Sequence, residues 1–194
     1  MKTKEFKEKY SNKTKKQIKD KKKVDIKWIC LISALSFIIS LIFSFVGETV
    51  IPNAHILVSA FLIFAFIFLG ILFDMIGISV TVADLKTFNS MATKKVKGAT
   101  LAVKLIKNAD KVSSFCNDVI GDICGIISGS TGVSVAIIVA NKFDISLLLV
   151  TLLITALIAA MTIGGKAIGK SFAINKSNSI LYKFVKVLSI FYRK

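Results

Sequence analysis

Nineteen consecutive residues, Ile145 to Ile163, carry no charged side chain, and neither do the eighteen from Trp28 to Phe45. A helix rises about 1.5 Å per residue, so each run is long enough to cross the roughly 30 Å hydrocarbon core of a bilayer. In hydrocarbon only a segment that satisfies its own backbone hydrogen bonds is viable, which makes both runs helices. Two further segments are apolar but interrupted. Ile56 to Val82 contains Gly70, Asp74, Gly77 and Ser79, and Val112 to Ala140 contains Asn117, Asp118, Asp122 and serines that include Ser113 and Ser114. A hydrophobic content of 54% and a mean hydropathy of +0.72 do not fit a water-soluble surface. The chain therefore reads as an all-α membrane protein with four transmembrane helices, at 28–47, 56–82, 112–140 and 145–165.

The formal charge of +16 would suggest nucleic acid in a soluble protein, but here its location decides. Residues 1–27 form a basic arm with twelve Lys against Glu5, Glu8, Asp20 and Asp25, and residues 83–111 hold seven Lys against Asp84 and Asp110. Seven more basic residues fall between Lys166 and Lys194, where there is no acid. The turns at Gly47–His55 and Asn141–Asp144 hold only Glu48, His55, Lys142 and Asp144. Basic residues collect on the cytoplasmic side of membrane proteins, so four spans with both termini cytoplasmic satisfy every loop. The expected location is the plasma membrane, multi-pass. Anionic lipid headgroups suffice as the partner of the lysines, and no nucleic acid is needed.

Two polar segments are predicted to be amphipathic juxtamembrane helices. In the 83–111 connector, Val96, Ala99, Val103 and Ile106 line one side, with Lys94, Lys97, Lys104, Lys107 and Lys111 on the other. In the 174–194 tail, Ile180, Leu181, Phe184, Val185 and Leu188 oppose Lys176, Lys183, Lys186 and Arg193. Both are expected to lie along the membrane surface.

Asp74, Asp118 and Asp122 stand out because a charge in hydrocarbon costs about 2.5–3.5 kcal/mol and normally faces protein or water. Counted from the inner helix ends, they fall roughly 12, 9 and 15 Å deep, in one inner-half layer. With the Asn117 carbonyl and the Ser114 hydroxyl they make a set of hard oxygen ligands suited to Mg2+ or another such cation. Gly121, Gly125 and Gly129 recur every four residues, a spacing that lets helices approach closely. Asp118 and Asp122 lie beside that stripe and are expected to point into a helix contact.

From Phe73 onward the chain resembles the membrane domain of the CorB/CorC and CNNM magnesium transporters. The likeness is carried by Lys97, Gly98, Ala99, Ala102, Lys104, Leu105, Ile106, Asn108, Asp110 and Lys111, by Ile120, Gly121 and Asp122, and by Gly165 to Ala173 (GKAIGKSFA). It implies a domain over 56–173 with three membrane helices, an outside N-terminus and a belt of cytosolic helices, to which the 28–47 helix adds one crossing. It also implies a homodimer that moves or senses Mg2+ or Co2+. Relative to the family pattern, Ile123 replaces an Asn, Lys166 a Glu and Gly169 a Pro.

Two functions are open. In one, a divalent cation is moved or sensed at the pocket of Asp74, Asp118, Asp122, Asn117 and Ser114. In the other, Lys166 pairs with Asp118 or Asp122 and neutralises the site, which leaves a structural or partner-binding subunit with an unidentified cytosolic or membrane partner. No Ser-His-Asp set, Walker loop or HExxH occurs, so neither enzyme activity nor an organic cofactor is expected. Cys30, Cys116 and Cys124 have no metal-ligand spacing and read as buried packing thiols.

Overall fold

The computed structural model describes residues 26–50 and 56–191, with the side chains of 46–50 and 191 outside the description. The basic arm up to residue 25, the turn residues 51–55 and Arg193 lie outside the described residues. The chain divides into two units, Met1–Leu35 and Ser36–Lys194. Of the first, the described part is the opening of helix α1 (Ile26–Val50). No described residue of α1 is buried, so Cys30 is exposed on it and not a buried thiol.

The second unit is built on three long helices: α2 (Ile56–Val82), α6 (Asp122–Phe143) and α7 (Leu147–Asn175). With α1 they give four helices long and apolar enough to cross a membrane. α2, α6 and α7 pack pairwise. Their shared core contains Ile63 and Ile67 of α2, Val135 of α6 and Ile158 of α7, each on the helical period that returns a residue to the same face. The large apolar side chains of the outer faces, such as Phe61, Phe68, Leu153 and Leu157, stay exposed, as lipid-facing residues do. α6 ends where Asp144 turns left-handed at φ 53°, and the Ile145 N–H donates to the Ala140 carbonyl at 3.2 Å. α7 extends ten residues beyond the predicted end at 165, so Lys166 and Lys170 lie within it.

The connector is not one helix. It breaks into α3 (Leu85–Thr93), α4 (Ala99–Lys107) and α5 (Ala109–Ser114). Lys95 at φ 55° and Gly98 at φ 86° turn the chain between the first two. Asp84 caps α3: its carboxylate accepts from the backbone N–H groups of Lys86 (3.0 Å) and Thr87 (3.3 Å) and from the Thr87 hydroxyl (2.7 Å). The Asp84 N–H donates in turn to Asn178 Oδ1 at 2.9 Å, which fixes the start of α8 (Ser177–Phe191) to the corner between α2 and α3.

The apolar faces of these short helices bury one another. Val80, Ala83, Phe88, Ala102, Leu181 and Val185 form one cluster, to which Val103, Ile106 and Phe184 add partly buried side chains. The sequence pattern suggests that the apolar faces of connector and tail are covered by lipid. In the fold they are covered mostly by protein, because the α2 end and α3 supply a matching apolar surface.

Candidate functional site

Between α5 and α6 the helix widens into a π-helix, Phe115–Gly121. Such a segment hydrogen-bonds i to i+5, so one extra residue enters the turn and every side chain before it rotates relative to those after. Asn117, within it, faces α2. Its Oδ1 occupies the space a side chain would take at Gly77, where an added Cβ would overlap Oδ1 and lie 3.2 Å from the Cys116 Cβ. Gly77 is buried, and only a residue without a side chain admits this contact. The Asn117 amide group donates to Ser113 Oγ at 3.4 Å, while Oδ1 is buried with no hydrogen-bond partner. The hydroxyl of Ser79, two residues beyond Gly77, is also buried and unpartnered.

The three acids behave differently from one another. Asp74 is half-buried in α2, on the face that also holds buried Gly70 and Gly77, whereas Thr81, one turn beyond Gly77, is exposed. Asp118 and Asp122 are exposed, and this corrects the expectation that both point into a helix contact. The reason lies in the face they share: Asp122 stands three and seven residues before Gly125 and Gly129, on the side of the helix where nothing lies within 4 Å of an added Cβ, while Val119, Gly121 and Cys124 take the buried side. Among the described residues no three His, Cys, Asp or Glu side chains come together in a group able to hold a metal ion. Ser114 is half-buried at the end of α5.

Lys166 reaches across from α7. Its ammonium lies 3.7 Å from Asp122 Oδ1, with the Lys side chain 28% and the Asp side chain 68% exposed. The same ammonium is 3.6 Å from where a Cβ on Gly121 would sit, an ordinary contact distance, so Lys166 packs over the Gly121 backbone. Of the three acids, Asp122 is the one in direct contact with Lys166.

No family model, curated protein or solved structure matches this chain. The residues that carry the resemblance to magnesium transporters nevertheless serve identifiable packing roles. Gly98 starts α4 against Val185, and Ala99 and Ala102 are fully buried. Gly165 and Gly169 bring α7 onto α2: a Cβ at Gly165 would overlap Ile71, and one at Gly169 would meet Met75 Cγ at 3.0 Å. Ala173, one turn further, is fully buried. Of the glycines predicted to pack, Gly121 is buried, whereas Gly125 and Gly129 face open space with nothing within 4 Å of an added Cβ. The contact glycines at 165 and 169 also obey a four-residue spacing, and that signal in the sequence points to them equally well.

Proposed function

We propose that this chain is a structural or partner-binding membrane subunit with a magnesium-transporter-like architecture, in which the Lys166 ammonium serves as the resident cation of the Asp122 carboxylate. The carrying observation is the 3.7 Å contact between these two groups. A cation that binds Asp122 has to displace a tethered positive charge or bind beside it, and repulsion between like charges a few ångströms apart opposes that. The lysine-rich end of the bundle faces the cytoplasm in this reading, since that side attracts basic loops. A partner helix, from a second copy or another membrane subunit, closes on the open backbone at Gly125 and Gly129.

A second reading, in which the chain moves or senses Mg2+ or Co2+, draws on the two buried, unpartnered oxygens, Asn117 Oδ1 and Ser79 Oγ. Neutral oxygens left without a donor are the kind a hard cation recruits. Calorimetric titration of the purified protein with Mg2+ separates the two. The subunit reading expects no binding to the natural chain and binding to Lys166→Glu, which removes the ammonium and adds a carboxylate. Saturable binding to the natural chain that Asp122→Ala removes favours the second reading, and unchanged binding in Lys166→Glu counts against the lock.

A further inference from the structure

Helix α8 has two usable faces, and protein covers only one. Leu181 and Val185 are fully buried against the α2 end, α3 and α4. Lys183, Lys186, Val187 and Ile190 fall on the opposite side at helical spacing and are all exposed, Val187 to 56% and Ile190 to 65%. Among the described residues neither lysine has an ion-pair partner, and no acid occurs anywhere from Lys166 to Lys194. Water alone does not favour two large aliphatics beside two lysines. A bilayer interface does, because the aliphatics enter the acyl boundary while the ammonium groups reach the phosphates.

The length of α7 puts this face at the right height. Its 29 residues rise about 43 Å, which equals the roughly 40–45 Å of a bilayer with its headgroups. Ile168, Phe172 and Ile174 remain exposed toward its end, as residues still in the interface do. The α7–α8 turn therefore emerges at the phosphates, with Lys176 exposed at the corner and its ammonium 5.1 Å from the Phe172 ring centre.

We infer that the outward face of α8, formed by Lys183, Lys186, Val187 and Ile190, is a binding surface for anionic phospholipid headgroups in the leaflet that α7 leaves. This is independent of whether the Asp122 site holds a metal, because it rests on a different face and a different helix. The test titrates full-length protein in neutral detergent with phosphatidylglycerol or phosphatidylcholine and counts retained lipid by native mass spectrometry, with the basic arm intact in every variant. Phosphatidylglycerol is expected to be retained preferentially. Lys183→Gln and Lys186→Gln should each weaken it about 5-fold, and the pair about 30-fold. The arginine pair, Lys183→Arg with Lys186→Arg, should keep it, and Lys142→Gln at the other end of the bundle should leave it unchanged. Equal retention of the two lipids, or phosphatidylglycerol binding that survives the glutamine pair, overturns the inference. So does a DNA or acidic-peptide affinity that the glutamine pair removes while lipid retention stays.

Discussion

If Lys166 is the counter-ion of Asp122, the two residues are energetically coupled, and the coupling can be bounded. Unit charges 3.7 Å apart attract by about 4 kcal/mol at an effective dielectric of 20 and by about 1 kcal/mol in bulk water. Asp122 is 68% exposed and Lys166 28%, so solvent and salt screening bring the pair toward the lower value. A double-mutant cycle with Asp122→Asn, Lys166→Gln and the combination should return a coupling of about 1–2 kcal/mol. Each single variant should lose about as much as the coupling, because it leaves the partner charge without its counter-ion in the same screened surroundings. The assay is reversible unfolding in mixed micelles at low salt, repeated at high salt, where the coupling should shrink. Exchanging the two residues, Asp122→Lys with Lys166→Asp, should recover most of what either reversal loses. Additivity within about 0.3 kcal/mol at low salt would refute the lock, because two groups in contact as a salt bridge do not unfold as independent sites.

Other consequences follow from the packing. Gly77→Ala drives a Cβ into Asn117 Oδ1 and should cost about 1–3 kcal/mol, whereas Gly164→Ala in α7 meets open space and should be neutral or stabilise the helix by up to about 1 kcal/mol; melting curves of both variants check the contrast. Phe88→Ala removes a fully buried ring from the cluster under α8 and should cost about 3–5 kcal/mol, with increased amide exchange concentrated in α3, α4 and α8. Asp84 has its pKa held below the usual carboxylate value, chiefly by the Thr87 hydroxyl and then by the Lys86 N–H. Because the folded pKa is the lower one, its stabilising effect is full above the unfolded value of 3.8 and is lost as pH falls through the folded pKa. Amide exchange at the start of α3 should rise in that acid window, and Thr87→Val should move the rise to higher pH.

The spans were legible because hydrocarbon imposes a length and a composition that Trp28–Phe45 and Ile145–Ile163 meet without exception. Their ends were less so: α7 continues through Lys166 and Lys170 because long basic side chains reach water or a counter-ion from inside a helix. The lysine and aliphatic faces of connector and tail were legible too, but not what covers them, since periodicity marks an apolar face without naming its partner. The break between α3 and α4 left a signal in Gly98, whose left-handed backbone suits glycine. The π-helix left none. It is a shift of backbone register with no composition of its own, and the outward side of Asp122 is instead marked by its spacing from Gly125 and Gly129, which face open space. Lys166 was legible as a cation at a helix end, and its choice of Asp122 depended on the Gly165 and Gly169 contact that seats α7 on α2.

Magnesium flux into proteoliposomes containing the full-length protein, measured with an entrapped indicator under an imposed gradient, tests the ion-paired subunit most directly. Flux no greater than in protein-free vesicles is expected. Flux by the natural chain that Asp122→Ala abolishes would contradict it.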